Sequence, residues 1–351
     1  MTDNPANFAS DNVAGALPEV IAAVTEAASV GAMPYGDDPW TERVETRLRE
    51  VFECDLQAFP VATGTAANAL ALSALCPPFG TVFCHPMSHA NTDECGAPEF
   101  FTGGAKLTLV DGADGKIDSA ALDTAIATAR PNGVHNMPPA AVSITQENEA
   151  GSVYSLDEVD AIAEVSRRHE LALHMDGARF ANALVSLGCS PADVTWRRGV
   201  DVLCFGATKG GAMAAEAVIF FCEEQAAAFG ERRKRGGHLL SKMRFVSSQL
   251  DGYLSDDAWL RAARAANACA ARLADGLAAI GNSTLVRPAD ANIVFAQLSP
   301  PVLDRLEADG FRFYRAGDDG TIRLVVAWST TEADVDGFLA AVRAHLATAA
   351  E

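Results

Sequence analysis

Two apolar runs with polar residues at their ends decide the fold of this chain: Leu171-Ala172-Leu173-His174-Met175-Asp176-Gly177-Ala178-Arg179 and Val200-Asp201-Val202-Leu203-Cys204-Phe205-Gly206-Ala207-Thr208-Lys209-Gly210-Gly211. Runs this short and apolar are typical of strands buried on both faces of a parallel sheet. An aspartate follows the first run, and a lysine in a glycine-containing turn follows the second. Because ligands bind at the carboxyl ends of such strands, we expect Asp176 and Lys209 to share one site.

The rest of the first 250 residues alternates in the same way between apolar runs and amphipathic stretches. The alternation predicts an α/β fold with a largely parallel sheet covered by helices on both faces. Ser155-Leu156-Asp157-Glu158 has the form of a capping box, which marks a helix start. Strands are predicted over residues 58–61, 81–84, 106–110, 141–145, 171–175, 201–205 and 217–222, and helices over 66–75, 119–129, 156–169 and 191–197.

The pattern changes near residue 250, where a long Ala/Arg helix is predicted from about 258 to 280. Strand candidates follow at 284–286, 293–297, 311–314 and 321–327, and an Ala-rich helix begins near 331. This mixture favours a smaller α+β unit. We therefore predict an N-terminal arm over residues 1–13, a large cofactor-binding domain over 14–250 and a small domain over 251–351.

Composition excludes several functional classes. The chain has 351 residues, 27 Lys and Arg, 46 Asp and Glu, and a net charge of −19, which argues against nucleic-acid binding. No apolar run is long enough for a membrane span, and the first residues lack an export signal, so we expect a cytoplasmic protein. The eight cysteines form no CxxC pair and, with the histidines, match no zinc spacing, so no metal is expected.

The lysine and the aspartate together predict a site for pyridoxal 5'-phosphate (PLP). A lysine amine forms an imine with the PLP aldehyde, and a carboxylate keeps the pyridine nitrogen protonated. The turn Thr63-Gly64-Thr65, between a predicted strand and a helix, offers backbone N–H groups and a helix dipole to a phosphate. Each piece alone has an ordinary structural explanation, but the combination favours an enzyme acting next to an amino-acid α-carbon.

Other side chains near these strand ends are ambiguous on their own. Arg179 is either a surface charge or a clamp for a substrate carboxylate, which guanidinium binds through two parallel hydrogen bonds. His89 follows a strand and suits stacking on the cofactor ring. His135 stays undecided, and His174 is expected to be structural and to face away from Asp176. No role is expected for His85, His169, His238 and His345.

These motifs resemble the low-specificity L-threonine aldolase family, which belongs to the fold-type-I PLP enzymes of the aspartate aminotransferase-like superfamily. The resemblance runs through almost the whole chain. Its pieces are Ser10-Asp11-Asn12, Tyr35-Gly36-Asp37-Asp38-Pro39, Thr63 to Asn68, His89 with Glu94 and Gly96, Glu147-Asn148, Asp176-Gly177-Ala178-Arg179, Thr208-Lys209-Gly210 and Ile322-Arg323-Leu324-Val325.

The resemblance implies an aldolase that cleaves L-threonine, L-allo-threonine or related β-hydroxy-α-amino acids, such as phenylserine, to glycine and an aldehyde. It implies catalytic roles for Lys209 and Asp176, with His89 and His135 as candidate bases for the β-hydroxyl proton. The cofactor would be held by Thr63, Gly64, Thr65, His89, Asp176, Arg179, Thr208 and Lys209. The substrate would be held by Ser10, Tyr35, Arg179 and Arg323.

The resemblance also implies a homotetramer built from dimers, with active sites at the dimer interface. Tyr35 and the basic stretch from Arg232 to Lys242 are candidates to reach a neighbouring subunit's site, although the basic stretch is equally typical of a solvated face. The chain departs from the family at Glu149, where threonine is typical. A PLP-dependent β-eliminating lyase, an aminotransferase and a non-enzymatic α/β binding domain are the alternatives that the sequence leaves open.

Overall fold

The computed structural model describes residues 6–349, so the first five residues of the predicted arm lie outside the described residues. A seven-stranded sheet carries the first part of the chain. Its spatial order is β1-β7-β6-β5-β4-β2-β3, and β7 alone runs against the other six strands. The strands are β1 (Gln57–Val61), β2 (Thr81–Cys84), β3 (Lys106–Leu109), β4 (Pro139–Thr145), β5 (Ala172–Gly177), β6 (Val202–Gly206) and β7 (Glu216–Phe220).

The seven predicted strands are all present, each within two residues of its predicted ends, and the expectation of a largely parallel α/β sheet is confirmed. Fourteen α-helices surround the two sheets of the described residues. They are α1 (Pro18–Ser29), α2 (Pro39–Phe52), α3 (Gly64–Leu75), α4 (His89–Thr92), α5 (Ala97–Thr102), α6 (Ser119–Thr128), α7 (Leu156–Arg168), α8 (Phe180–Leu187), α9 (Glu223–Ala226), α10 (Phe229–Arg235), α11 (Arg244–Leu254), α12 (Ala258–Ala278), α13 (Pro300–Ala308) and α14 (Glu332–Ala349).

One predicted helix, over residues 191–197, is wrong. The chain there forms turns and a short 3-10 helix at Trp196–Arg198. The backbone leaves the helical region at Thr195 (φ −120°, ψ −111°), and the Thr195 Oγ1 donates at 2.6 Å to Pro191 O, the carbonyl that the Thr195 amide would use in an α-helix. The helices that were not predicted from the sequence are α1, α2, α4, α5, α8, α9, α10, α11 and α13.

Helix α3 packs on one face of the sheet, where Val61, Val202 and Val218 form an apolar cluster with its alanines. The other face belongs to the main core, which includes Leu173, Met175 and Leu203. Ser155 starts α7 with the predicted capping box, and both reciprocal hydrogen bonds with Glu158 are present.

A second, four-stranded antiparallel sheet follows, in the order β10-β11-β9-β8. Its strands are β8 (Thr284–Leu285), β9 (Ile293–Gln297), β10 (Tyr314–Arg315) and β11 (Thr321–Val325). Helix α12 joins the two cores, since its residues up to Ala263 pack in the main core and those from Cys269 pack in the second. The predicted domain boundary at residue 250 stays a prediction. No helix within residues 6–349 combines the length and apolar character that a membrane span needs.

Candidate active site

Lys209 lies in the turn between β6 and β7. The turn is closed by hydrogen bonds from the amides of Gly210 and Ala212 to Ala207 O, both 3.0 Å. It is anchored from behind by Glu216, whose Oε2 accepts from Ala207 N at 2.8 Å. Only glycine fits at position 210, because a Cβ there would lie 2.1 Å from Tyr253 Oη. Burial, with the nearby Arg179 charge, lowers the pKa of the Lys209 amine.

Asp176 ends β5, the neighbour of β6, as the sequence predicted. Its Oδ2 accepts from Asn68 Nδ2 at 2.8 Å, and its Oδ1 accepts from Ala178 N at 2.9 Å. The expectation that His174 faces away was wrong, because residues two apart in a strand point to the same face. His174 contacts Cys204 on that face, with Nε2 and Sγ 3.2 Å apart, and burial lowers its pKa to about 4.

The Thr63-Gly64-Thr65 turn joins β1 to α3. Thr63 caps the helix, its Oγ1 accepting from Ala66 N at 3.2 Å. A Cβ added at Gly64 would meet nothing within 4 Å, so the turn opens onto free space at the positive end of the helix dipole. His238 was expected to have no role, yet its Nδ1 accepts from Ala62 N at 3.2 Å and holds the start of this turn.

His89 belongs to a network that crosses the site. Its Nδ1 lies 2.9 Å from Oε1 of the buried Glu94, and Asn68 Nδ2 donates to both Glu94 and Asp176 at 2.8 Å. The hydrogen bond to Glu94 raises the pKa of His89 despite burial. Burial raises the pKa of Glu94 as well, although its bond to His89 opposes the rise. Asn68 was missed as a functional residue, because no local pattern shows that it bridges two carboxyl groups from other elements.

Arg179 is already paired. Its Nε and Nη2 donate to the two carboxyl oxygens of Asp11 at 2.7 and 3.1 Å, and both side chains are at most 5% exposed. Burial alone would lower the pKa of Arg179, but Asp11 raises it above its usual value. Ser10 caps the turn that carries Asp11, its Oγ accepting from Asn12 N at 3.1 Å. Asp11 was quoted in a motif but given no role, and its partner lies 168 residues away.

Arg323 lies on β11. Its pKa is affected by the charges of Arg179, Asp11, Glu149 and Glu147, so its side chain faces the region of the Arg179–Asp11 pair. Burial, with Arg179, lowers its pKa. Burial also raises the pKa of Glu147 to about 8 and that of Glu149 to about 7. Arg323 therefore stands beside carboxyl groups that hold their protons unusually strongly.

These elements enclose a cavity of about 320 Å³, within the range of small-molecule sites. Its wall combines the Thr63-Gly64-Thr65 turn, Asp176 and Lys209 with His89, Glu149, Thr208 and Glu216. A nucleophilic amine, a carboxylate and an open helix N-terminus are the groups that PLP needs, so the residues present fit this cofactor.

Five predicted site residues are not among those that line this cavity: Ser10, Arg179 and Arg323, which are described above, and Tyr35 and His135. Tyr35 is half-exposed, with Lys234 Nζ 4.4 Å from its ring centroid. His135 is exposed in a short 3-10 helix before β4, whereas the cavity lies at the carboxyl end of β4. The seven residues of β4 separate His135 from the cavity by about 20 Å. Within one chain, the structure therefore does not bring His135 to the site.

Comparisons with known proteins agree with this site. The sequence pattern of the family described as beta-eliminating lyase matches residues 7–300. A low specificity L-threonine aldolase from Pseudomonas aeruginosa is 47% identical over 331 residues, covering 94% of this chain and 95% of the relative. Another, from a Pseudomonas species, is 46% identical over 344 residues, covering 98% of this chain and 99% of the relative.

Solved structures give the same picture. A threonine aldolase from Leishmania major superimposes with a TM-score of 0.91 at 28% identity, covering 97% of this chain and 99% of that one. An aspartate aminotransferase from Thermus thermophilus, with a TM-score of 0.72, 18% identity and coverage of 97% and 91%, shares the fold-type-I architecture. The chain belongs to the beta-eliminating lyase family, together with the low specificity L-threonine aldolases, and shares its dependence on PLP.

Proposed function

We propose that this protein is a PLP-dependent aldolase that cleaves L-threonine, L-allo-threonine or related β-hydroxy-α-amino acids to glycine and an aldehyde. The observation that carries the proposal is the convergence of Lys209, Asp176 and the Thr63-Gly64-Thr65 turn on one cavity. The relatives named low specificity L-threonine aldolase, at 46% and 47% identity over nearly the whole chain, support the substrate class.

When bound, PLP supplies an aldehyde that reacts with amines and a ring that accepts electrons from a bond breaking at the amino-acid α-carbon. The chain's own groups hold and orient it. Lys209, whose lowered pKa leaves more free amine, would form the covalent bond to the aldehyde, and Asp176 would hold the proton of the pyridine nitrogen. The turn at Thr63 to Thr65, with Thr208, would bind the phosphate, and His89 would cover the ring.

The substrate carboxylate is held by Arg323, Arg179 and Ser10. Because Asp11 already takes two donors of Arg179, we assign Arg323 the larger share of this contact. Holding the carboxylate fixes which bond of the α-carbon stands perpendicular to the ring, and such positioning contributes on the order of several kcal/mol. An aldolase, a β-eliminating lyase and an aminotransferase differ in which bond of the α-carbon is placed in this orientation.

The direct test is a substrate panel. L-threonine, L-allo-threonine and L-phenylserine are each incubated with the PLP-loaded enzyme, and glycine and aldehyde are measured. Equal amounts of both products support the aldolase. Pyruvate and ammonia from L-serine, without glycine from any panel member, would support a β-eliminating lyase, and a new amino acid from a keto acid would support an aminotransferase.

A second experiment separates an enzyme from a binding domain. The purified protein should be yellow, and borohydride should fix the cofactor to Lys209, as peptide mass spectrometry would show. Lys209→Ala should lose both the covalent link and turnover. A colourless protein that takes up no PLP would favour the non-enzymatic alternative.

We also propose a homotetramer of dimers with active sites at the dimer interface. Among the described residues, Arg232, Arg233, Lys234 and Arg235 form no salt bridge, although the chain is strongly acidic. A groove of about 800 Å³ beside them is lined by Leu70, Phe101 and the largely exposed Phe100, and a buried subunit contact would explain these features. Light scattering of the native protein measures the assembly.

A cytoplasmic location is part of the same proposal. All eight cysteines are free thiols, as is usual in proteins of a reducing compartment. Cell fractionation with an antibody to the protein tests it.

A further inference from the structure

The proposed cleavage, on which this inference rests, needs a base for the β-hydroxyl proton. The group must lie in the cavity, since a base acts within hydrogen-bond reach of the proton or through one water. His135 lies at the other end of β4. The titratable groups that line the cavity are His89, Glu149, Asp176, Lys209 and Glu216. Asp176 and Lys209 are assigned to the pyridine nitrogen and the aldehyde, and Glu216 accepts from Ala207 N behind the Lys209 turn, so His89 and Glu149 are the two candidates.

His89 is poorly suited to take a proton. Its Nδ1 is bound to the buried carboxyl of Glu94 at 2.9 Å, and this bond, with the charges of Glu94 and Asp176, raises the pKa of the imidazole. A histidine with a raised pKa keeps its proton to a higher pH, so a smaller share of His89 is free to accept a proton at a given pH. The ring therefore suits stacking and hydrogen-bond donation better than proton abstraction.

Glu149 is held in place by its loop, and its carboxyl accepts a hydrogen bond from its own backbone amide. It follows β4 in a loop organised by Asn148, whose Oδ1 accepts from the amides of Ala150 and Ser152 at 3.0 and 3.1 Å. Asn148 Nδ2 donates in turn to Asp114 O at 3.1 Å. The Glu149 carboxyl lines the cavity and makes no hydrogen bond to another side chain of residues 6–349.

The charges around Glu149 come from every neighbouring element. Asp176 on β5 repels its negative form, while Arg179 and Lys209 attract it. The charge of Glu149 also affects the pKa of Arg323 on β11. Burial is the largest effect, and together these groups raise the pKa of Glu149 to about 7. A base whose pKa lies near the working pH is deprotonated in a large share of the molecules and still has a high affinity for the proton.

We propose that Glu149 is the base that takes the β-hydroxyl proton of the bound amino acid. As a Glu149 oxygen bonds to that proton, the O–H electrons form the carbonyl of the aldehyde and the Cα–Cβ bond breaks. Its electron pair stays on the α-carbon of the glycine part, which PLP would stabilise and which takes a proton from solvent before glycine leaves. Glu149 then holds one proton more than before, and it returns this proton to solvent after the aldehyde leaves.

The test begins with the pH dependence of kcat/KM for L-phenylserine. Activity of the wild type should rise with pH through about 7, because only the deprotonated carboxylate accepts a proton. Glu149→Gln should lose about 10²- to 10⁴-fold, the usual contribution of a general base, and should lack this rise. Glu149→Asp should recover part of the rate together with the rise.

Two further variants complete the comparison. His89→Asn should keep the rise through pH 7, since it leaves Glu149 in place. Glu164→Gln, at a helix position whose side chain is 72% exposed, is the matched control and should behave as the wild type. A Glu149→Gln enzyme that keeps both the rate within a few-fold and the rise would overturn the proposal, as would a His89→Asn enzyme that alone loses the rise.

A readout that needs no turnover is an infrared titration of the resting enzyme. The difference between wild type and Glu149→Gln should show one protonated carboxyl that titrates near pH 7, and a carboxyl fully ionised at pH 5 would also overturn the proposal. Failure of the proposed function looks different, because the wild type itself would then release no glycine from the substrate panel.

Discussion

Glu147 offers a quantitative test of how burial acts in this protein. Its side chain is completely buried, and no side chain of residues 6–349 donates a hydrogen bond to its carboxyl oxygens. Burial raises its pKa to about 8; Arg179, the Asn292 amide and Arg323 oppose the rise, and Asp11 adds to it. In the unfolded chain the same group has the ordinary value of 4.5. Between these two values the folded protein holds a proton that the unfolded chain has lost.

The sign follows from proton linkage. A carboxyl whose pKa is raised by folding costs no stability below its unfolded pKa, and the cost grows as pH rises toward its folded pKa. Each pH unit in that interval lowers the free energy of unfolding by about 1.4 kcal/mol. Glutamine has nearly the same shape and does not titrate. The stability advantage of Glu147→Gln over the wild type should therefore grow by about 3 kcal/mol between pH 5 and pH 7.5.

The assay is urea unfolding at several pH values, with wild type and variant at the same cofactor concentration, since ligand binding shifts apparent stability. Glu164→Gln is the exposed control and should show a difference from wild type that does not change with pH. A flat difference for Glu147→Gln over the same range would mean that Glu147 is ionised in the folded protein, and the reasoning from burial would then be wrong.

Three further substitutions test the proposed site. Asp176→Asn should lower kcat on the order of 10²-fold without loss of fold, as circular dichroism would confirm, and unchanged kinetics would remove its role at the ring nitrogen. Arg323→Ala should raise KM roughly 10- to 100-fold, the worth of a charged hydrogen bond, and a fall in kcat alone would contradict a carboxylate contact. Gly210→Ala should lower the melting temperature, because its Cβ would overlap Tyr253 Oη, and Tyr253→Phe should restore part of the loss. No recovery would mean that the turn is distorted in another way.

The sequence predicted the part of the site that depends on strand ends. Asp176 and Lys209 follow neighbouring strands whose limits could be read within two residues, and parallel strands bring their carboxyl ends to one edge. The Thr63 turn could be predicted for the same reason, since it joins a strand to a helix start. These residues owe their positions to local patterns, and local patterns are what a single sequence shows.

Other site residues could not be predicted from the sequence, because segments far apart in the chain bring them together. Glu216 supports the Lys209 turn because β7 pairs with both β1 and β6, and His238 holds the Thr63 turn from 176 residues away. The His174 prediction failed although the alternation of side chains in a strand was sufficient to place it on the face of Asp176. The helix predicted over 191–197 failed because the backbone leaves the helical region at Thr195, where the side-chain Oγ1 takes the Pro191 carbonyl that a helix would use.

The two arginines near the proposed substrate site show why contacts that the sequence does not reveal matter for function. By sequence, Arg179 and Arg323 are equivalent carboxylate clamps. In the structure, Asp11 holds Arg179 through two hydrogen bonds, and removing one partner of such a buried pair leaves a charge that costs about 3–5 kcal/mol. Arg179 is therefore fixed before any substrate arrives, and its charge is largely balanced.

Arg323 is in a different situation. The neighbouring carboxyl groups of Glu147 and Glu149 have raised pKa values, so near pH 7 they carry only part of their negative charge. The positive charge of Arg323 therefore remains available to an incoming carboxylate. The burial that raises the pKa of Glu147 therefore also keeps the charge of Arg323 available, and ionisation of Glu147 near pH 8, above the range in which Glu149 ionises, should weaken the hold of Arg323 on its ligand.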